Sequence, residues 1–147
     1  MIVVRRTLLI GIALTLAACG GGILERSDEG RQTWIERGPQ SYRYQLTLDC
    51  FCPEEVRGPF RITVDSGAVA GVVRTSSPAD AVAIVDFLDP TIEGLFALIE
   101  ANADADIIDF TYDGQLGYPV SIILDPSADN FDDELSVFVR NLESTDR

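Results

Sequence analysis

The sequence contains no histidine and no lysine, and among its 147 residues it has only three cysteines, one methionine and one tryptophan. Without histidine the commonest general base is missing, so Ser-His and Cys-His nucleophile pairs are ruled out, as are His-ligated zinc sites. All 11 basic residues are arginine, set against 24 acidic residues for a formal net charge of −13. Such an excess repels phosphates and anionic headgroups, which argues against nucleic acid and direct lipid recognition. A cationic partner or a metal ion matches the charge better. No phosphate loop or cofactor fingerprint is present, so no cofactor is expected and the chain is read as non-catalytic.

What is present first is a leader. Arg5 and Arg6 precede the apolar run Leu8 to Ala18, which ends in Leu16-Ala17-Ala18-Cys19. A basic start, a short apolar core and small residues before a cysteine form a lipoprotein signal. The run is well short of the roughly 20 residues a spanning helix needs. Residues 1–18 are therefore read as a signal peptide and Cys19 as the lipidation site, with the membrane reached through that anchor. Gly20, rather than an aspartate, follows the cysteine, which favours the periplasmic face of the outer membrane if the cell is Gram-negative. Removing Arg5 and Arg6 leaves nine basic against 24 acidic residues, a mature charge of −15.

Residues 19–30 begin Gly-rich and become polar, and are read as a flexible tether. Residues 31–147 are expected to form a single domain. A short helix is expected around Trp34, from Arg31 to Arg37, before Gly38-Pro39. Tyr42, Tyr44, Leu46, Leu48, Cys50 and Cys52 then alternate with polar positions, the mark of a half-buried strand. Phe60, Ile62 and Val64 repeat the pattern, and Ser66-Gly67 turns the chain into a third strand over residues 68–74. Residues 77–88 read as a crossing segment. Thr91 is the expected N-cap of an amphipathic helix with Ile92, Leu95, Phe96 and Ile99 inward. Strands follow around Phe110 and Ile122, and a last one around Val137. The order implies an α+β fold, an antiparallel sheet with helices packed on one face. Gly58-Pro59-Phe60 loosely echoes Gly117-Tyr118-Pro119, as a tandem helix-plus-three-strand duplication would produce.

Three constellations could carry chemistry. Cys50-Phe51-Cys52 places two sulfurs on the same side of a strand, but extended backbone would hold their Cα atoms about 6.6 Å apart. A bridge between Cys50 and Cys52 thus requires the strand to bend, and it is read as a local disulfide staple, with a redox couple as the alternative. The loop Asp125 to Glu134 gathers five carboxylates and Asn130, oxygen ligands that suit calcium, although its spacing is not that of an EF-hand. A solvated acidic loop is the simpler reading, and no metal site is assigned. Tyr112-Asp113-Gly114 to Pro119 reads as a hairpin connection.

These pieces in order, Trp34, the Tyr42/Tyr44 strand, Cys50-Phe51-Cys52, the Val64 to Gly67 turn, Thr91 to Phe96, Tyr112-Asp113 with Gly117-Tyr118-Pro119, and Asp132-Asp133-Glu134, resemble the family catalogued as domain of unknown function 6174. The resemblance covers nearly the whole mature chain and implies a bacterial cell-envelope lipoprotein or secreted domain without an assigned activity. The expected role is binding or structural, through the sheet face and a protein partner. An inhibitor-like module for an exported enzyme and a thiol-disulfide protein using Cys50 and Cys52 are the alternatives.

Overall fold

The computed structural model describes residues 22–75, 83–130 and 132–146. Six antiparallel strands form one sheet in the order β3-β2-β1-β6-β5-β4. They are β1 (Tyr42–Cys50), β2 (Phe60–Asp65), β3 (Ala68–Arg74), β4 (Ile107–Tyr112), β5 (Pro119–Asp125) and β6 (Leu135–Ser144). The helices are α1 (Ile23–Arg37), α2 (Glu54–Arg57), α3 (Ala83–Phe87) and α4 (Ile92–Ala101). The chain thus makes two meanders, β1-β2-β3 and β4-β5-β6, joined by the β1-β6 pair. This is the expected α+β architecture.

The period-two residues of every strand build one core. Tyr42, Tyr44, Leu46 and Leu48 of β1 pack beside Phe60, Ile62 and Val64 of β2, Phe110 of β4, Ile122 and Leu124 of β5, and Val137 and Val139 of β6. Trp34 of α1 and Ile92, Leu95, Phe96 and Ile99 of α4 close over them. Thr91 caps α4 as expected, its Oγ1 accepting from the Gly94 N–H at 2.9 Å. The turn between β2 and β3 places Ser66 and Gly67 at φ 52° and 78°, the backbone signs of a type I′ hairpin.

Two boundaries differ from the sequence reading. The tether ends much earlier than residue 30, because α1 starts at Ile23. Its buried face is Ser27, Gly30 and Trp34, so its first half turns small residues inward where apolar ones would be sought. A Cβ on Gly30 would lie 2.6 Å from the Tyr112 ring, and one on Gly117 would lie 2.5 Å from the Gly30 carbonyl. Close approach to the β4-β5 hairpin, rather than hydrophobicity, holds this first half of α1. Strand β1 also stops at Cys50 instead of Cys52, where the chain turns and α2 follows.

Candidate functional site

The sheet has one covered face and one open face. Residues directly opposite on antiparallel strands project to the same side, so the register identifies the open surface row by row. One row runs Val73, Arg61, Gln45, Arg140 across β3, β2, β1 and β6, and the next runs Thr63, Arg43, Glu143. Farther along the strands lie Thr47, Phe138, Ser121 and Thr111, then Asp49, Ser136, Ile123 and Asp109. Over β2-β1-β6 the open face therefore gathers Arg43, Arg61, Arg140 and the Gln45 amide, with Glu143, Asp49 and Asp65 on the same side. Over β4-β5 it turns to hydroxyls, isoleucines and the carboxylates Asp109 and Asp125, with Ile123 42% and Ile107 50% exposed.

A bulge builds the basic part. Between the pairs Arg43–Glu143 and Gln45–Arg140, β1 spends one residue, Tyr44, where β6 spends two, Asn141 and Leu142. Asn141 takes up the extra length at φ 55°, a left-handed conformation that asparagine tolerates. Its Nδ2 donates to Gln45 Oε1 at 3.1 Å, so the bulge adds an amide to the face that already carries Gln45. Arg43 donates through Nε and Nη2 to Glu143 Oε2 at 2.9 and 2.7 Å. Arg43, Tyr44, Gln45, Arg61, Asn141 and Glu143 line a cleft of about 420 Å³.

Most other arginines are committed to the fold. Arg26 donates to the Phe110 carbonyl at 3.0 Å and lies 4.6 Å over the Phe110 ring, while Arg31 pairs with Glu100 at 2.6 Å. Arg57 and Arg74 donate to the carbonyls of Cys52 and Glu54. Among the described residues, Arg61 and Arg140 on the open face have no carboxylate partner. Sequence reasoning passed over both: each is a lone arginine on the polar side of a strand, and only the register joins them around Gln45.

The residues singled out from the sequence lie elsewhere. Cys50 and Cys52 form a disulfide at the end of β1 with Cα atoms 5.2 Å apart, closer than extended backbone would place them, as the required bend implies. The bend pushes Phe51 outward, 76% exposed. Cys19 lies outside the described residues. In the acidic loop, Asn130 Nδ2 donates to Asp133 Oδ2 at 3.3 Å and the Asn130 N–H to the Ser127 carbonyl at 2.8 Å. Among the described residues, no three acidic or cysteine side chains gather in an arrangement that could hold a metal ion. Between β4 and β5, Asp113 Oδ1 accepts from the Gln115 and Leu116 N–H groups at 3.0 and 2.8 Å, a hairpin connection as read.

The covered face carries a polar seam that is structural. Tyr42 Oη accepts the Ile92 N–H at 2.9 Å, Trp34 Nε1 donates to Glu93 Oε1 at 2.8 Å, and Tyr44 Oη donates to the Pro90 carbonyl. Burial pushes the Tyr42 and Tyr44 phenols well above the ordinary tyrosine range, reinforced for Tyr42 by Glu93 and for Tyr44 by Tyr42. Tyr112, whose Oη donates to the Arg26 carbonyl, is pushed up to about 12, again chiefly by burial. These hydroxyls seat the N-terminus of α4 and the first turns of α1 on the strands.

No curated protein and no solved structure matches the chain. The family model for a family of unknown function, DUF6174, matches residues 26–144, from the second turn of α1 to the last residue of β6, and the chain belongs to that family.

Proposed function

We propose that the protein is a non-catalytic binding module of the cell envelope, anchored by lipid on Cys19, that presents the open face of its sheet to a protein partner. The observation that carries this reading is the placement of Arg43, Arg61 and Arg140 on one face of a chain whose net charge is −13. Placing Arg61 and Arg140 on an uncovered sheet surface, without carboxylate partners among the described residues, adds nothing to the core, so their use lies in recognition. With α1 starting at Ile23, only Gly20, Gly21 and Gly22 lie between Cys19 and the first helix, four Cα-to-Cα steps in all. Those four steps span at most about 14 Å, so the anchored domain works close against the bilayer.

Two measurements test the reading. Intact mass of the protein extracted from its own envelope checks the anchor: a lipid-sized increment on Cys19 is expected, and an unmodified thiol overturns it. Photo-crosslinking amino acids placed in the full chain at Thr47, Arg61 and Ser136 on the open face, and at exposed Ile35 on α1, then map the recognition surface in living cells. Adducts confined to the open-face positions are expected. Adducts at Ile35 alone, or none from any position, overturn the proposal.

A further inference from the structure

We infer that the open face over Gln45 is a carboxylate-binding site, with Arg61 lining the cleft and Arg140 flanking it from β6 as its clamp and the amides of Gln45 and Asn141 as its floor, and that it takes a carboxylate side chain of an extended peptide. The inference rests on the open face being the recognition surface and names the chemistry recognised there.

Arg61 and Arg140 each stand directly opposite Gln45, one across the β1-β2 pair and the other across the β1-β6 pair. Two strand spacings put their Cα atoms about 10 Å apart, within range for two long side chains to converge over the residue between them. Neither has a carboxylate partner among the described residues. A guanidinium presents a planar fork that a carboxylate fills bidentately. Gln45 and Asn141 hydrogen-bond to each other at 3.1 Å. That bond fixes the two amides side by side at the cleft floor, leaving donor and acceptor valences for a peptide backbone.

Charge decides the class of anion. Glu143 neutralises Arg43 within the cleft, and Asp65 and Asp49 lie on the same face at opposite ends of β2 and β1. The charge close to Gln45 is thus that of Arg61 and Arg140, offset only at the strand ends by Asp65 and Asp49 and set in the field of a strongly negative molecule. A polyanion such as nucleic acid or an anionic bilayer meets that whole field, whereas a single carboxylate presented on a peptide meets only the clamp. The cleft, about 420 Å³, also has the size of sites that take small ligands or a few residues of chain.

The test uses the full chain in neutral-detergent micelles with 15N-labelled arginine, and follows the Arg side-chain Nε–Hε signals. The probe is the blocked tripeptide acetyl-Ala-Glu-Ala-amide, compared with acetyl-Ala-Gln-Ala-amide and with inorganic phosphate. Saturable shifts of the Arg61 and Arg140 signals with the Glu peptide, absent with the Gln peptide and weaker with phosphate, are expected. Arg61→Gln and Arg140→Gln should each weaken binding about tenfold or more, as the loss of one charged hydrogen-bonding partner does. Arg61→Lys should retain only part of the affinity, because the charge remains without the fork. Arg37→Gln, on the helix side, should leave affinity unchanged, and equal melting temperatures across the set exclude unfolding. No shift with the Glu peptide, an equal response to the Gln peptide, or tighter binding of phosphate overturns the inference. Should crosslinks still map to the open face in that event, the surface stands and only its carboxylate chemistry falls.

Discussion

The two meanders share an order of elements and differ in how they are held. In each, a helix precedes three strands, and a glycine in the left-handed region, Gly58 at φ 86° or Gly117 at φ 81°, introduces the middle strand. The first half is seated by polar contacts, since Tyr42 and Tyr44 of β1 grip the start of α4, the helix of the second half. The second half is seated by close approach, since Tyr112 and Gly117 of the β4-β5 hairpin lie against Gly30 of α1, the helix of the first. Each helix is thus docked in part on the other half's strands. Each helix also meets its own half, Trp34 of α1 against Tyr42 at 5.2 Å and Phe96 of α4 against Tyr112 at 6.3 Å, so the halves share one core and neither is expected to fold alone.

The sharpest way to break this comparison is Gly117→Ala. The new Cβ would lie 2.5 Å from the Gly30 carbonyl on a backbone at φ 81°, so a loss of about 3 kcal/mol or more is expected. Gly67→Ala is the matched control, with similar φ of 78° but open space around it. It should lose only about 1 kcal/mol, the left-handed cost alone. Thermal melts of the two variants check the difference, and equal losses would mean that packing at Gly117 does not hold α1.

Tyr42→Phe tests the polar seating of the first half. It strips the buried Ile92 N–H of its acceptor and should cost about 1–3 kcal/mol. The same seam makes stability pH-dependent on the alkaline side. A phenol whose folded pKa is raised contributes stability that is complete below its unfolded pKa near 10 and is lost as pH rises through the folded value. For Tyr112 that window runs from about pH 10 to about 12. Melting temperature should hold steady from neutral pH to about 10 and then fall, and Tyr112→Phe should make the fall shallower. An unchanged profile in that variant would remove Tyr112 from the account.

Thr91→Ala removes the cap of α4 and should cost about 1 kcal/mol, read by denaturant titration. Smallest is Arg43→Gln. Its pair with Glu143 is more than half exposed on both sides, and less than about 1 kcal/mol is expected. A larger loss would show that the open face contributes to the fold and is not reserved for recognition.

What could be read from the sequence was periodicity. Alternation over Tyr42 to Cys50 and Phe60 to Val64, and helical spacing over Ile92 to Ile99, reported the core because burying apolar area is dominated by which side of an element is greasy. The first half of α1 was illegible for the converse reason. Ser27 and Gly30 face the core without being hydrophobic, and Gly30 reads as a breaker until Tyr112 is seen against it. The open-face site was hidden in the same way, because Arg61 and Arg140 are 79 residues apart in the chain and meet only through Gln45.

The sequence by itself determined the α+β class, the positions of both meanders and the cap at Thr91, all of which follow from local spacing and residue chemistry. Only the tertiary structure decided that β1 pairs with β6, that a bulge at Asn141 turns its amide toward Gln45, and that Arg61 and Arg140 flank Gln45 on one face. Those depend on strand register, which is fixed by the packing of the whole sheet and leaves no mark within any one segment.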